Sequence, residues 1–172
     1  MCIRDRARRA GINPDVAAYR LDRLLDFNMV PVTVRREIDG EVGSLQFVPI
    51  RWIDEQRRQE EQSGGRASCS LREQWNAMLI FDILIGNELR IAETIRYDSN
   101  SFLLMLAGHG RAFSTSGSKP SRYKGVPLDI GPAWVAALNS MTDEVLKQRF
   151  ADVLDKRRIR ALAKRRDLLL NE

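Results

Sequence analysis

The segment from Ser70 to Gly86 constrains this chain more than any other. Ser70 with Glu73 three residues later forms a capping box. Leu71, Trp75, Met78, Leu79 and Leu84 follow at helical spacing, and Gly86 stands where a left-handed residue most easily closes a helix. Residues 78–85 are apolar except for Asp82, so the helix is apolar on most sides and belongs inside a core. Asp82 also breaks the run far short of the roughly 20 apolar residues that a membrane-spanning helix needs, and no other stretch approaches that length. With 172 residues, 44% of them hydrophobic, the chain can bury one real core, and a single domain is expected.

The remaining elements follow from local pattern. Asn13-Pro14 supplies an N-cap and a proline at the first helical position, and the spacing from Val16 to Phe27 predicts a helix over 14–27. Val32 and Val34, then Leu45 and Phe47, alternate on either side of Asp39-Gly40, which predicts a hairpin. Residues 54–69 are polar and end near a glycine pair, so they read as a flexible linker, helical at most at its start. A second hairpin is expected from Thr94–Tyr97 and Phe102–Leu106 about the turn at Asp98-Ser99-Asn100. A long loop over 107–131 carries Lys119, Arg122 and Lys124, and three helices follow, opened by Pro132, capped by Thr142 and marked by Ile159, Leu162 and Leu169.

Two cysteines, Cys2 and Cys69, lie far apart without metal-ligand or redox spacing, which fits a reducing cytoplasm. The opening Met1-Cys2-Ile3-Arg4-Asp5-Arg6 has no apolar signal core and reads as a non-native leader over residues 1–6, set aside in reasoning about the fold. The net charge of +5 suits acidic partners such as nucleotide, nucleic acid or anionic lipid without choosing among them.

Phe81-Asp82-Ile83-Leu84-Ile85-Gly86-Asn87-Glu88-Leu89-Arg90 and Gly108-His109-Gly110-Arg111-Ala112-Phe113 resemble two signature segments of the bacterial atypical kinases related to HipA-type, secretory casein-kinase-type and phosphoinositide kinases. The resemblance extends through residues 16–24, the Gly43–Gln46 strand and Arg165-Arg166-Asp167. It implies an α+β, protein-kinase-like fold: a partial N-lobe over 7–53 with its first helix and one hairpin, the linker over 54–69, and a helical C-lobe over 70–172. It also implies that the phosphate-anchoring lysine and glycine-rich strand would precede residue 13, that Asp15 takes the place of the helix glutamate pairing with that lysine, and that Val48 and Pro49 form a hinge-like nucleotide contact.

In that family the first segment reads Asn-x-Asp-Arg followed by a second Asn. The resemblance therefore assigns Asn87 and Arg90 to the catalytic loop, Leu89 to the catalytic aspartate's position and Thr94 to the magnesium-binding asparagine's. The interval from Leu89 to Thr94 equals that between the two groups in kinase catalytic loops. The main magnesium-binding aspartate, which precedes the histidine in the family, is replaced by Gly108. Magnesium takes hard oxygen ligands and phosphoryl transfer relies on positioned cations, so these replacements imply a catalytically inactive domain or a truncated fragment. ATP and magnesium enter only if activity is retained, and a protein partner held by the surviving scaffold is the other expectation.

The alternatives stay open at this point. Glu88 and Glu93 flank the altered positions and could substitute in an active kinase, although a loop glutamate is ordinarily just solvated; Asp98 and Asp129 are weaker candidates. His109, the single histidine, and Asp82 read as structural groups beside the loop, with Arg90 organising it. The basic run Lys156, Arg157, Arg158, Arg160, Lys164, Arg165 and Arg166 allows a nucleic-acid- or anion-binding module, but without interleaved aromatics a solvated helix face is the plainer reading.

Overall fold

The computed structural model describes residues 2–6, 12–64, 67 and 69–172. Among these, six strands and six α-helices run in the order β1 (Cys2–Arg6), α1 (Pro14–Leu24), β2 (Thr33–Ile38), β3 (Glu41–Phe47), β4 (Trp52–Asp54), α2 (Glu55–Glu60), α3 (Leu71–Ile85), β5 (Ile95–Asp98), β6 (Leu104–Leu106), α4 (Pro132–Ser140), α5 (Asp143–Phe150) and α6 (Lys156–Leu170). The fold is mixed α+β, with two small antiparallel sheets ordered β1-β3-β2 and β4-β5-β6. No helix among the described residues is long and apolar enough to cross a membrane.

Helix α3 lies at the centre of the molecule. The side chain of Ser70 accepts from the Glu73 N–H and Gly86 closes the helix at φ +62°, as the capping residues predict. Ile80, Phe81, Ile83, Leu84 and Ile85 lose all solvent exposure against a core that includes Leu146 and Phe150 of α5 and Leu162 of α6. Each such side chain contributes roughly 1.5–3 kcal/mol, so the helix carries a large share of the hydrophobic stabilisation.

Two boundaries differ from expectation, the end of α1 and the start of the second hairpin. Helix α1 stops at Leu24 rather than at Phe27, because the buried Asp22 carboxylate accepts from the Met29 and Val30 N–H groups at 2.8 and 3.0 Å and turns the chain through left-handed Asp26 and Asn28. The turn at Asp39-Gly40 has both residues at positive φ, as a two-residue hairpin needs, and joins β2 to β3 with Ile38 opposite Glu41. The other edge of β3 pairs with β1; an edge left open by β2 is a ready template for backbone pairing.

The polar stretch expected as a linker is helical at its start, where α2 follows directly on β4. It is held by polar contacts rather than by apolar surface: buried Glu55 accepts from Arg58, Gln59 and Tyr97 at 2.7–2.8 Å. Where the linker expectation falls on residues 65, 66 and 68, and the leader expectation on Met1, it lies outside the described residues, as do residues 7–11 of the expected N-lobe. The second hairpin forms as β5 and β6, one residue later at its start, with Ile95 opposite Leu106.

Candidate functional site

The left-handed Gly86 turns the chain out of α3 into the loop that carries the sequence candidates. A Cβ at Gly86 would stand 2.9 Å from the guanidinium carbon of Arg165, so the position needs glycine for space as well as for conformation. Arg165 is wholly buried; its Nε donates to the Leu84 carbonyl at 2.8 Å and its Nη1 to the Ser116 carbonyl. Burial lowers its pKa to about 10, still far above neutrality, so a charged guanidinium pins the end of α3 to the loop at 114–116.

Asp82 organises the inner side of this loop. Its Oδ1 accepts from Asn87 Nδ2 at 2.9 Å and Arg90 Nη2 at 2.7 Å, and its Oδ2 from Arg90 Nε at 2.8 Å and the Tyr123 hydroxyl at 3.1 Å. The paired side chains are almost fully enclosed, at 0% and 3% exposure, so the bidentate geometry and extra donors are what offset desolvation of the two charges. Burial, then the negative Asp82, pushes the Tyr123 hydroxyl pKa upward and keeps it a donor. Arg90 Nη1 reaches the Ala107 carbonyl at 2.8 Å and thereby joins the loop to the strand end that leads into Gly108.

His109 completes this interior. Arg90 Nη2 lies 3.4 Å from its Nε2; an arginine can only donate, so Nε2 accepts and the ring proton sits on Nδ1, which has no hydrogen-bond partner among the described residues. Burial, then the neighbouring Arg90, holds its pKa well below the usual histidine value. Its backbone N–H donates to Asp15 Oδ1 at 3.0 Å, which ties α1 to the loop. Asp15 also accepts from Ser44 Oγ at 3.5 Å, so the position matched to the kinase helix glutamate faces both β3 and the Gly108-His109 turn.

The outer side of the same loop holds Leu89, Thr94, Glu88 and Glu93, the residues singled out by the sequence resemblance. Leu89 is exposed at 44% and donates its N–H to Asn87 Oδ1 at 3.1 Å. Thr94 and Gly108 are brought together: a Cβ at Gly108, which has φ +73°, would lie 3.2 Å from Thr94 Cγ2. The Thr94 hydroxyl is already engaged, donating to the Ile91 carbonyl at 2.9 Å and accepting from the Ile91 N–H at 3.2 Å. Glu88 and Glu93 are exposed, and their side chains have no hydrogen-bond or ion-pair partner among the described residues. Val48, buried, and Pro49, half-buried, lie in the connection from β3 to β4, beside the fully open Ile50.

A magnesium ion does not fit these residues. Leucine and glycine side chains offer it no oxygen, the Thr94 hydroxyl is committed to its own turn, and among the described residues no group of three or more His, Cys, Asp or Glu side chains is placed to hold a metal. Asp98 caps its own turn at Ser101, and Asp129 is exposed, held through its backbone by two hydrogen bonds with the Asn76 side chain. Trp75 and Trp134 lie on the core, the first donating to the Tyr97 hydroxyl at 2.8 Å and the second packed edge-on to Phe27. Sequence reasoning missed Tyr123 as a member of the interior network, because the contact spans the long loop and leaves no local pattern.

No family model matches the chain, and no curated protein matches it. Among solved structures it is similar to the Helicobacter pylori proinflammatory kinase CtkA, with a TM-score of 0.60 over 96% of this chain and 85% of that one, at 11% sequence identity. At that identity the likeness is one of fold, and the fold is kinase-like.

Proposed function

We propose that this chain is a kinase-like domain that no longer transfers phosphate and serves as a binding scaffold. One observation carries the reading. Thr94 and Gly108, matched by the loop resemblance to two magnesium-binding positions of kinases, meet in space beside an intact buried framework, and neither bears a carboxylate or amide. Leu89, at the catalytic aspartate's position, cannot orient an attacking hydroxyl. Loss of a single preorganised transition-state group commonly costs a factor of about a hundred to a thousand in rate, and these groups act together.

Calorimetric titration with ATP, once with magnesium and once with chelator, tests the proposal alongside transfer of radiolabelled γ-phosphate to protein. The expected result is no magnesium-coupled binding and no transfer. Binding that requires magnesium, together with transfer abolished by Glu88→Gln or Glu93→Gln, would overturn it in favour of an active enzyme with substitute carboxylates.

A further inference from the structure

The basic run near the C-terminus divides once the fold is known. Arg165 is buried, Arg158 pairs with Asp155, and Arg166 pairs with Asp143 and Asp167. Asp152 and Glu172 are likewise engaged, by Arg20 and Lys119. The acids of this region are thus almost all spent, with Glu144 the exception. Lys147, Lys156, Arg157, Arg160 and Lys164, by contrast, are exposed and have no ion-pair or hydrogen-bond partner among the described residues.

These cations are not scattered. On α6, Lys156, Arg160, Lys164 and Arg157 fall within about 100° of the helix circumference, opposite the face that carries Leu162 and Leu169 into the core. Lys147 faces Lys156 and Arg160 from α5 across a groove of about 310 Å³ whose floor is Ile159 and Ala163. Asp143 stands at the rim, but its carboxylate is taken by Arg166 at 3.0 Å. Like charges one helical turn apart repel by a few tenths of a kcal/mol. Among the described residues no ion pair relieves them here.

We infer that the α5–α6 groove docks an acidic segment of a partner protein, with carboxylates meeting Lys147, Lys156 and Arg160 and one small apolar side chain seated on Ile159 and Ala163. Charge complementarity and the apolar floor select this occupant. A membrane would need accompanying exposed aromatic or large aliphatic side chains, and the exposed large hydrophobics, from Val32 to Val135, include none on α5 or α6. A nucleic-acid strand would need stacking platforms, which the groove also lacks. The inference names a kind of partner for the proposed scaffold, yet it depends on no property of the Leu89–Gly108 region.

Fluorescence anisotropy with a short labelled peptide of repeated Glu-Glu-Leu tests it on the full chain. Binding at low salt is expected. It should weaken by about tenfold or more in the Lys156→Glu, Arg160→Glu double variant, and by less than about twofold in Arg36→Glu on β2, which alters charge away from the groove. A glutamate at position 156 suits the first turn of α6, so the double variant keeps its thermal midpoint. The proposal is overturned by absence of binding at low salt, by equal weakening in both charge-reversal proteins, or by tighter binding of phosphatidylserine-containing vesicles or single-stranded DNA than of the peptide. ATP calorimetry on the same samples reports separately on the proposed loss of catalysis.

Discussion

Asp82 and Leu89 belong to one loop system and live under different constraints. Asp82 is wholly buried and receives Asn87, Arg90 and Tyr123, so any change there is felt by the folded state itself. Leu89 stands on the outer side of the loop, 44% exposed, bonded only through its backbone. An inner framework kept by the energetics of folding and an outer surface kept only by selection for chemistry can drift apart. That separation lets the loop hold its shape whatever side chains stand at its outer positions.

The strongest challenge to this contrast is Asp82→Ala. It strands the enclosed Arg90 guanidinium without its counter-charge and should cost about 3–5 kcal/mol, read as a lowered midpoint in urea denaturation. A loss below about 1 kcal/mol would mean that the inner network is not what holds the loop.

A second probe uses His109, whose folded pKa lies well below the usual value. Above about pH 6.5 both folded and unfolded chains carry the ring neutral; below it the unfolded chain takes up a proton that the folded one refuses, so stability falls with pH. Between about pH 7.5 and pH 5.5 the loss should reach at most about 1.4 kcal/mol, and His109→Gln should flatten that portion of the slope. Identical pH profiles in the two proteins would show that the ring is not held neutral. At the small end, Leu89→Asp should shift stability by less than about 0.5 kcal/mol. A larger loss would make the outer surface structural too.

Legibility in the sequence followed the reach of the interactions. Ser70, Gly86, Asn13 and Asp39-Gly40 act on their own turns, so the limits of α3, the start of α1 and the first hairpin could be read from neighbouring residues. The three-residue strand β4 could not, because Trp52–Asp54 is defined only by pairing with Asp98–Arg96 far along the chain. Helix α2 was legible only as a helical start to a linker for a related reason: its anchor is a buried glutamate whose Tyr97 partner lies outside the segment, and composition reads such a residue as solvated. At the site, the loop's sequence suggested that Asp82 and Arg90 serve its architecture, whereas the closeness of Thr94 and Gly108 needed three dimensions.

The clasp of Arg165 on Leu84 bears on how the molecule comes to be made. The two partners are 81 positions apart, and the contact to Ser116 spans 49. During synthesis from the N-terminus, α3 can form and cap itself early, but its carboxyl end stays unpinned until residue 165 has emerged and α6 has docked. Until then Leu84, Ile85 and Phe113 lack part of the surface that covers them, and the nascent chain presents that apolar patch to its surroundings. The last helix thus sets the moment at which the kinase-like loop becomes a finished structure.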